Sequence, residues 1–121
     1  MDVNHSGLWG ETYAARYLRD NGCKIIAANV SNRFGEVDII AADDEYISFI
    51  EVKTRGENAI ACPAESVDFQ KQKKICAVAA AFLQRHNYDL QPRFDVIEVY
   101  LDKDSKLINI NHIKNAFDSY I

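Results

Sequence analysis

Gly35-Glu36-Val37-Asp38-Ile39-Ile40-Ala41-Ala42-Asp43-Asp44-Glu45-Tyr46-Ile47-Ser48-Phe49-Ile50-Glu51-Val52-Lys53-Thr54-Arg55 is the stretch whose pattern decides the fold. Two runs rich in β-branched and aromatic residues flank an acidic turn, which predicts strands over Glu36 to Ala42 and Tyr46 to Thr54 joined as a hairpin. A two-residue turn at Asp44-Glu45 pairs Asp43 with Tyr46. The antiparallel register then sets Ala42 against Ile47, Ile40 against Phe49 and Asp38 against Glu51. Side chains alternate along a strand, so Asp38, Glu51 and Lys53 are expected on one face above Ile40, Phe49 and Ile47. Val37, Ile39, Ala41, Ile50 and Val52 are expected on the other, equally apolar face. Glu36 is read as a structural or turn residue on that opposite side. A sheet apolar on both faces needs helices on both.

Such helices are present in the pattern. Gly7 to Asn21 reads as a helix capped by Ser6 and stopped at Gly22, with Ala14, Leu18, Glu11, Ala15 and Leu8 on one arc. Glu11 falls near the middle of that apolar arc. Trp9, Tyr13 and Tyr17 recur along the same helix and are read as packing residues. Asp68 caps a second helix to about His86, with Ile75, Val78, Ala79, Phe82 and Leu83 inward. Its first turns carry Lys71, Lys73 and Lys74, a poor match to the helix dipole that points to a role other than helix stability. A strand over Cys23 to Val30 precedes the hairpin. Arg93 to Leu101 and Lys106 to Asn111 supply two more strands, and Ile113 to Tyr120 is expected as a closing helix. The order is α-β-β-β-α-β-β-α: an α/β protein with three layers, a central mixed sheet between helices.

The 121 residues suit one domain, residues 1–121, and the 48% hydrophobic and 26% charged content argues against disorder. No apolar run is long enough to span a membrane. Met1-Asp2-Val3-Asn4-His5 lacks the features of a signal peptide, and Cys23, Cys62 and Cys76 form no paired spacing. A cytoplasmic protein without a membrane partner is expected. The net charge of −4 should repel nucleic acid on average.

Chemistry concentrates at Asp38, Glu51 and Lys53. Two facing carboxylates are costly without a cation and form a hard-oxygen site for Mg²⁺ or Mn²⁺. A lysine on the same side suits an attacking water and the charge that develops on phosphorus. Glu11, carried by the first helix, would complete the site. The structural alternative pairs Glu11 with Arg55 or Lys53 as a buried ion pair.

These residues carry a resemblance. Gly35-Glu36-Val37-Asp38 followed by Glu51-Val52-Lys53-Thr54-Arg55 resembles the signature of the PD-(D/E)xK nuclease superfamily. Together with Gly10-Glu11, Asn29, Pro63, Lys71 and Arg93-Phe94-Asp95, the pattern is similar to the YraN family of small bacterial proteins. That family resembles archaeal Holliday-junction resolvases and restriction-endonuclease-like or tRNA-endonuclease-like folds. The resemblance implies catalytic roles for Glu11, Asp38, Glu51 and Lys53, with Asp38, Glu51 and the Val52 carbonyl as metal ligands. Arg33, Arg55, Gln70, Lys71 and Lys74 are the candidate nucleic-acid contacts, although Lys74 stands where the RecB-type motif has Tyr. A nuclease acting on branched or structured DNA, in preference to RNA, is expected, with a homodimer suggested by analogy to junction-cutting enzymes. The alternatives are a non-enzymatic module binding nucleic acid or protein, and a hydrolase of small phosphate esters. Setting Glu11, Asp38 and Glu51 aside leaves 15 acids against 14 bases, so the excess acidity lies largely in the proposed metal site.

Overall fold

A computed structural model describes residues 3–57 and 67–118, with side chains from residue 7 onward. The elements are α1 (Val3–Asp20), β1 (Lys24–Asn32), β2 (Gly35–Ala42), β3 (Tyr46–Gly56), α2 (Phe69–Arg85), β4 (Gln91–Leu101) and β5 (Leu107–Ile113). The strands form one mixed sheet in the order β1-β2-β3-β4-β5. Only β3 and β4 are parallel, and α2 is the crossover that parallel neighbours require. With α1 on one face and α2 on the other, this is the three-layer α/β arrangement expected of a restriction-endonuclease-like fold. No helix among the described residues is long and apolar enough to cross a membrane.

Each face buries its own core. Ile40, Ile47, Phe49, Phe94 and Val96 pack under Ile75, Val78 and Ala79 of α2. Ile39, Ala41, Ile50, Ile97 and Val99 pack under Ala14 and Leu18 of α1. Asp68 caps α2 as the sequence implies, its carboxylate accepting the Lys71 N–H at 2.9 Å. The chain leaves α1 through Gly22, whose φ of +87° is left-handed and suits glycine there.

The structure corrects four expectations. The buried line of α1 is Gly10, Ala14 and Leu18, while Leu8 is 66% exposed. At 100° per residue, that line is rotated by roughly 60° from the arc read in the sequence. The cause is Gly10, whose absent side chain lets α1 touch β3: a Cβ there would lie 2.0 Å from Thr54 Oγ1. Hydrophobic periodicity gives glycine no weight, so it cannot register this contact. Val37 joins the α2-side core instead of the face of Ile39, so alternation slips around Asp38. On β1, Asn29 falls opposite that slip with φ +52°, a conformation asparagine tolerates, and the strand continues past it to Asn32. Finally, no helix begins at Ile113: that residue ends β5, and Lys114 and Asn115 turn. Ala116 and Phe117 still pack on the α2-side core, so their apolar signal marks a packed turn. Tyr120, Cys62 and Pro63 lie outside the described residues, as does the side chain of the expected cap Ser6.

A buried polar network ties the layers together. Asp95 is fully buried and accepts from Arg93 Nε and Nη2, both at 2.9 Å, and from the Asn115 N–H at 3.0 Å. His112 Nε2 lies 2.8 Å from Asp95 Oδ2, and its Nδ1 lies 3.1 Å from the Tyr17 hydroxyl of α1. An ionised Asp95 only accepts, so Nε2 donates to it, and in the neutral ring Nδ1 is left to accept from the Tyr17 hydroxyl. Burial would raise the Asp95 pKa, yet His112, Arg93 and the Asn115 N–H together hold it below the ordinary value. This gives Asp95 the structural role that the sequence leaves open.

Candidate active site

The site forms where two strands separate. Pairing of β2 with β3 follows the expected register from Ala42↔Ile47 through Ile40↔Phe49, but ends at Ile39↔Ile50. Beyond that point β2 continues along β1 to Asn32↔Gly35, while β3 follows β4 to Gly56↔Leu101. Asp38 and Glu51 therefore flank a fork and do not face each other as a ladder pair. Instead of a ladder carbonyl, the Asp38 carboxylate accepts the Val52 N–H at 2.8 Å. Val52 thus contributes its amide N–H to the site.

The fork gathers acids. Glu51 is buried, Asp38 and Glu11 are half-buried, and Glu36 is exposed at the rim. Burial pushes the Asp38 carboxyl up to about 7 against the opposing pull of the Val52 N–H; the charges of Glu51, Glu11 and Glu36 add to the rise. Glu11 is also raised, first by burial and then by Glu36 and Glu51, while a hydrogen bond with the Asn29 side chain lowers it. Glu11 thus rests against Asn29 at the margin of the buried face. Among the described residues Glu11 forms no ion pair with Arg55 or Lys53. The close packing of Gly10 on Thr54 brings this part of α1 against the sheet.

Glu36 lies with Asp38 and not on the opposite side expected of it. Gly35, Glu36, Asp38 and Glu51 line a recess of about 180 Å³, closed from the α2 side by Lys71, Lys74 and Ile75. The available signal was the acid pair at 36 and 38 itself. Lys71 Nζ donates to Glu51 Oε1, and this bond raises the Lys71 pKa.

The remaining candidates divide. Lys53 is half-buried, two residues beyond Glu51 on the same strand, and makes no hydrogen bond or ion pair among the described residues. Arg55 turns to β4, its Nη2 and Nε lying 3.2 and 3.3 Å from Glu98 Oε2, while Asn111 donates to Glu98 Oε1 at 2.8 Å. Glu98 is fully buried, so Arg55 is engaged in neutralising it. Gln70 is exposed on the first turn of α2. Arg33 is exposed in the β1–β2 turn, its guanidinium 4.9 Å from the Phe34 ring centre. Trp9 stacks on Tyr13 at 5.8 Å, consistent with packing along α1.

Comparison with known proteins gives a family. Residues 10–99 match the family described as "Uncharacterised protein family UPF0102", a span that includes Glu11, Asp38, Glu51, Lys53 and Lys71. A UPF0102 protein of Caldanaerobacter subterraneus subsp. tengcongensis is 45% identical over 113 residues, covering 92% of this chain and 93% of that protein. One from Clostridioides difficile is 44% identical over 118 residues, covering 97% of this chain and all of its own length. One from Persephonella marina is 41% identical over 113 residues, covering 93% and 92%.

Proposed function

Because the chain belongs to the Uncharacterised protein family UPF0102, the YraN-like family its sequence resembles, and that description names no reaction, we propose a function from the site: metal-dependent hydrolysis of phosphodiester bonds in nucleic acid, with branched or structured DNA as the preferred substrate. The observation that carries this reading is the crowding of Glu11, Glu36, Asp38 and Glu51 at the fork. Such a cluster costs folded stability unless positive charge is supplied to it.

The donor set fits Mg²⁺ or Mn²⁺. Asp38 and Glu51 offer hard oxygens from rigid strands, and Mg²⁺ usually takes one or two protein carboxylates while waters and phosphate oxygens fill its shell. Among the described residues no three His, Cys, Asp or Glu side chains are grouped to hold a metal ion, so water and phosphate oxygens would have to supply the rest of the shell beside Asp38 and Glu51. A bound divalent cation would polarise the phosphoryl oxygen and acidify a water. The chain's own residues would do the rest. Val52 N–H orients Asp38, and Glu11 receives or holds the water. Lys53, without a partner among the described residues, steadies negative charge developing on phosphorus. Lys71 would exchange Glu51 for a substrate phosphate, with Lys74 beside it at the rim. The recess is smaller than the roughly 300–1,000 Å³ typical of small-molecule pockets, which disfavours a small phosphate ester.

Isothermal titration of Mn²⁺ or Mg²⁺ into the protein and into Asp38→Ala tests the metal assignment. Binding lost in the variant is expected, and unchanged binding would overturn it. Cleavage of junction, flap and single-stranded DNA by the protein and by Lys53→Ala then tests the chemistry. A second reading, a module that binds nucleic acid without cutting it, is favoured by one observation: Lys71 already neutralises Glu51 from within the chain. It requires binding without turnover and affinity indifferent to Lys53.

A further inference from the structure

A second concavity runs along α2 beside the recess, and its chemistry differs from that of the carboxylate site. It is a groove of about 740 Å³ between the β1–β2 turn and the outer side of α2. Arg33 and Phe34 form one wall, Ala77, Ala80 and Ala81 the floor, and Arg85 the far end. No acidic residue lines it, and α2 carries none between Phe69 and Arg85. Phe34 is 43% exposed at the turn, with the Arg33 guanidinium over its ring. The groove abuts the recess: Gly35, which follows Phe34, presses on α2 so closely that a Cβ there would lie 3.1 Å from Lys74 Cβ. From Lys74 to Ala80 is roughly 9 Å of helix, within reach of a neighbouring nucleotide or two.

We propose that this groove binds unpaired nucleotides of a single strand, one base stacking on the Arg33–Phe34 wall while Arg85 and Lys74 hold the flanking phosphates. A flat ring and a guanidinium plane suit a base face, and alanines on the floor leave room for one. A duplex offers no free base face to such a wall, so the groove selects for unpaired strand next to the phosphate delivered to Asp38 and Glu51. Cationic ends on a chain of net charge −4 give the anionic strand a local binding place that the average charge does not. The inference deepens the nuclease reading by naming the local substrate structure, and it rests on that reading for cleavage though not for binding.

The test uses a dye-labelled oligothymidylate carrying one 2-aminopurine, with Mg²⁺ present and Lys53→Ala as the background that suppresses cutting. Binding should quench the 2-aminopurine as it stacks. Phe34→Ala should abolish the quenching and weaken affinity about tenfold, Phe34→Tyr should restore both, and duplex affinity should not respond to Phe34. Quenching and affinity unchanged in Phe34→Ala would overturn the proposal, as would equal preference for duplex of the same length. Phe34-dependent quenching in a protein whose Lys53 form cuts no substrate would keep the groove and remove the nuclease reading. Cleavage without any dependence on Phe34 would do the reverse.

Discussion

The Asp38 carboxylate accepts the Val52 N–H at 2.8 Å where β2 and β3 part, so a side chain of one strand takes the place of a ladder carbonyl of the next. The bond fixes the orientation of the acid from the backbone. Burial and three neighbouring carboxylates nevertheless hold its pKa up at about 7.

That combination predicts a trade of stability against metal binding. The folded value is raised from 3.8, so the favourable contribution is fully present below about pH 4 and is lost as pH rises through about 7. In chelator, Asp38→Asn should remove this pH dependence and stabilise the protein at pH 8 by about 1–2 kcal/mol, allowing for water at the mouth of the site. Urea denaturation of both proteins from pH 4 to 8 measures it. Equal slopes for the two would refute the assignment.

Lys71 already pairs with Glu51, so a divalent cation held there as proposed would have to compete with it. Lys71→Met should tighten Mn²⁺ binding about tenfold, because it removes a positive charge from the site and frees a carboxylate. The metal-free variant should also melt at lower temperature, as four acids then share the fork with less compensation. Calorimetric titration and melting curves check both. Weakened metal binding would show that Lys71 supports the site and does not compete for it.

Gly10→Ala should destabilise by about 1–3 kcal/mol, because the new Cβ meets Thr54 Oγ1 at 2.0 Å between two packed elements. Thr54→Ala in the same chain should recover most of the loss. Thermal denaturation of the single and double variants separates this clash from a general intolerance of α1, for which the second substitution would bring no recovery.

Asp95→Asn should cost about 3 kcal/mol or more, leaving the Arg93 guanidinium in its half-buried site without its anion. Tyr17→Phe, which removes one hydrogen bond at His112, should cost about 1 kcal/mol. Because the folded Asp95 value is depressed, its stabilisation is present above about 3.8 and lost as pH falls through that lower folded value. The difference between wild type and Asp95→Asn should therefore shrink only in strong acid, a trend that acid denaturation series would follow.

Strand periodicity, turn residues and caps are local signals, and they suffice for most of the architecture. The hairpin register from Ala42↔Ile47 to Ile40↔Phe49, the Asp68 cap, the Gly22 stop and the apolar side of α2 all follow from residues a few positions apart. The same signals bring Asp38, Glu51 and Lys53 to one end of the sheet, and the ordered motif made the family recognisable. What lay beyond the sequence arises where distant segments meet. The rotation of α1 depends on Gly10 touching Thr54, which a residue without a side chain does not advertise. The fork depends on β2 preferring β1 and β3 preferring β4 past Ile39 and Ile50, a competition among four strands that a two-stranded register cannot express. Glu51 is met by Lys71 of α2, Glu98 by Arg55 and Asn111 of the flanking strands, and Asp95 by His112 of β5 as well as by its own strand neighbour Arg93, because a buried carboxylate takes whichever donor the packing delivers to it. Residue types thus set the chemistry available to this protein, and the meeting of α1, α2 and the parted strands set which groups share it.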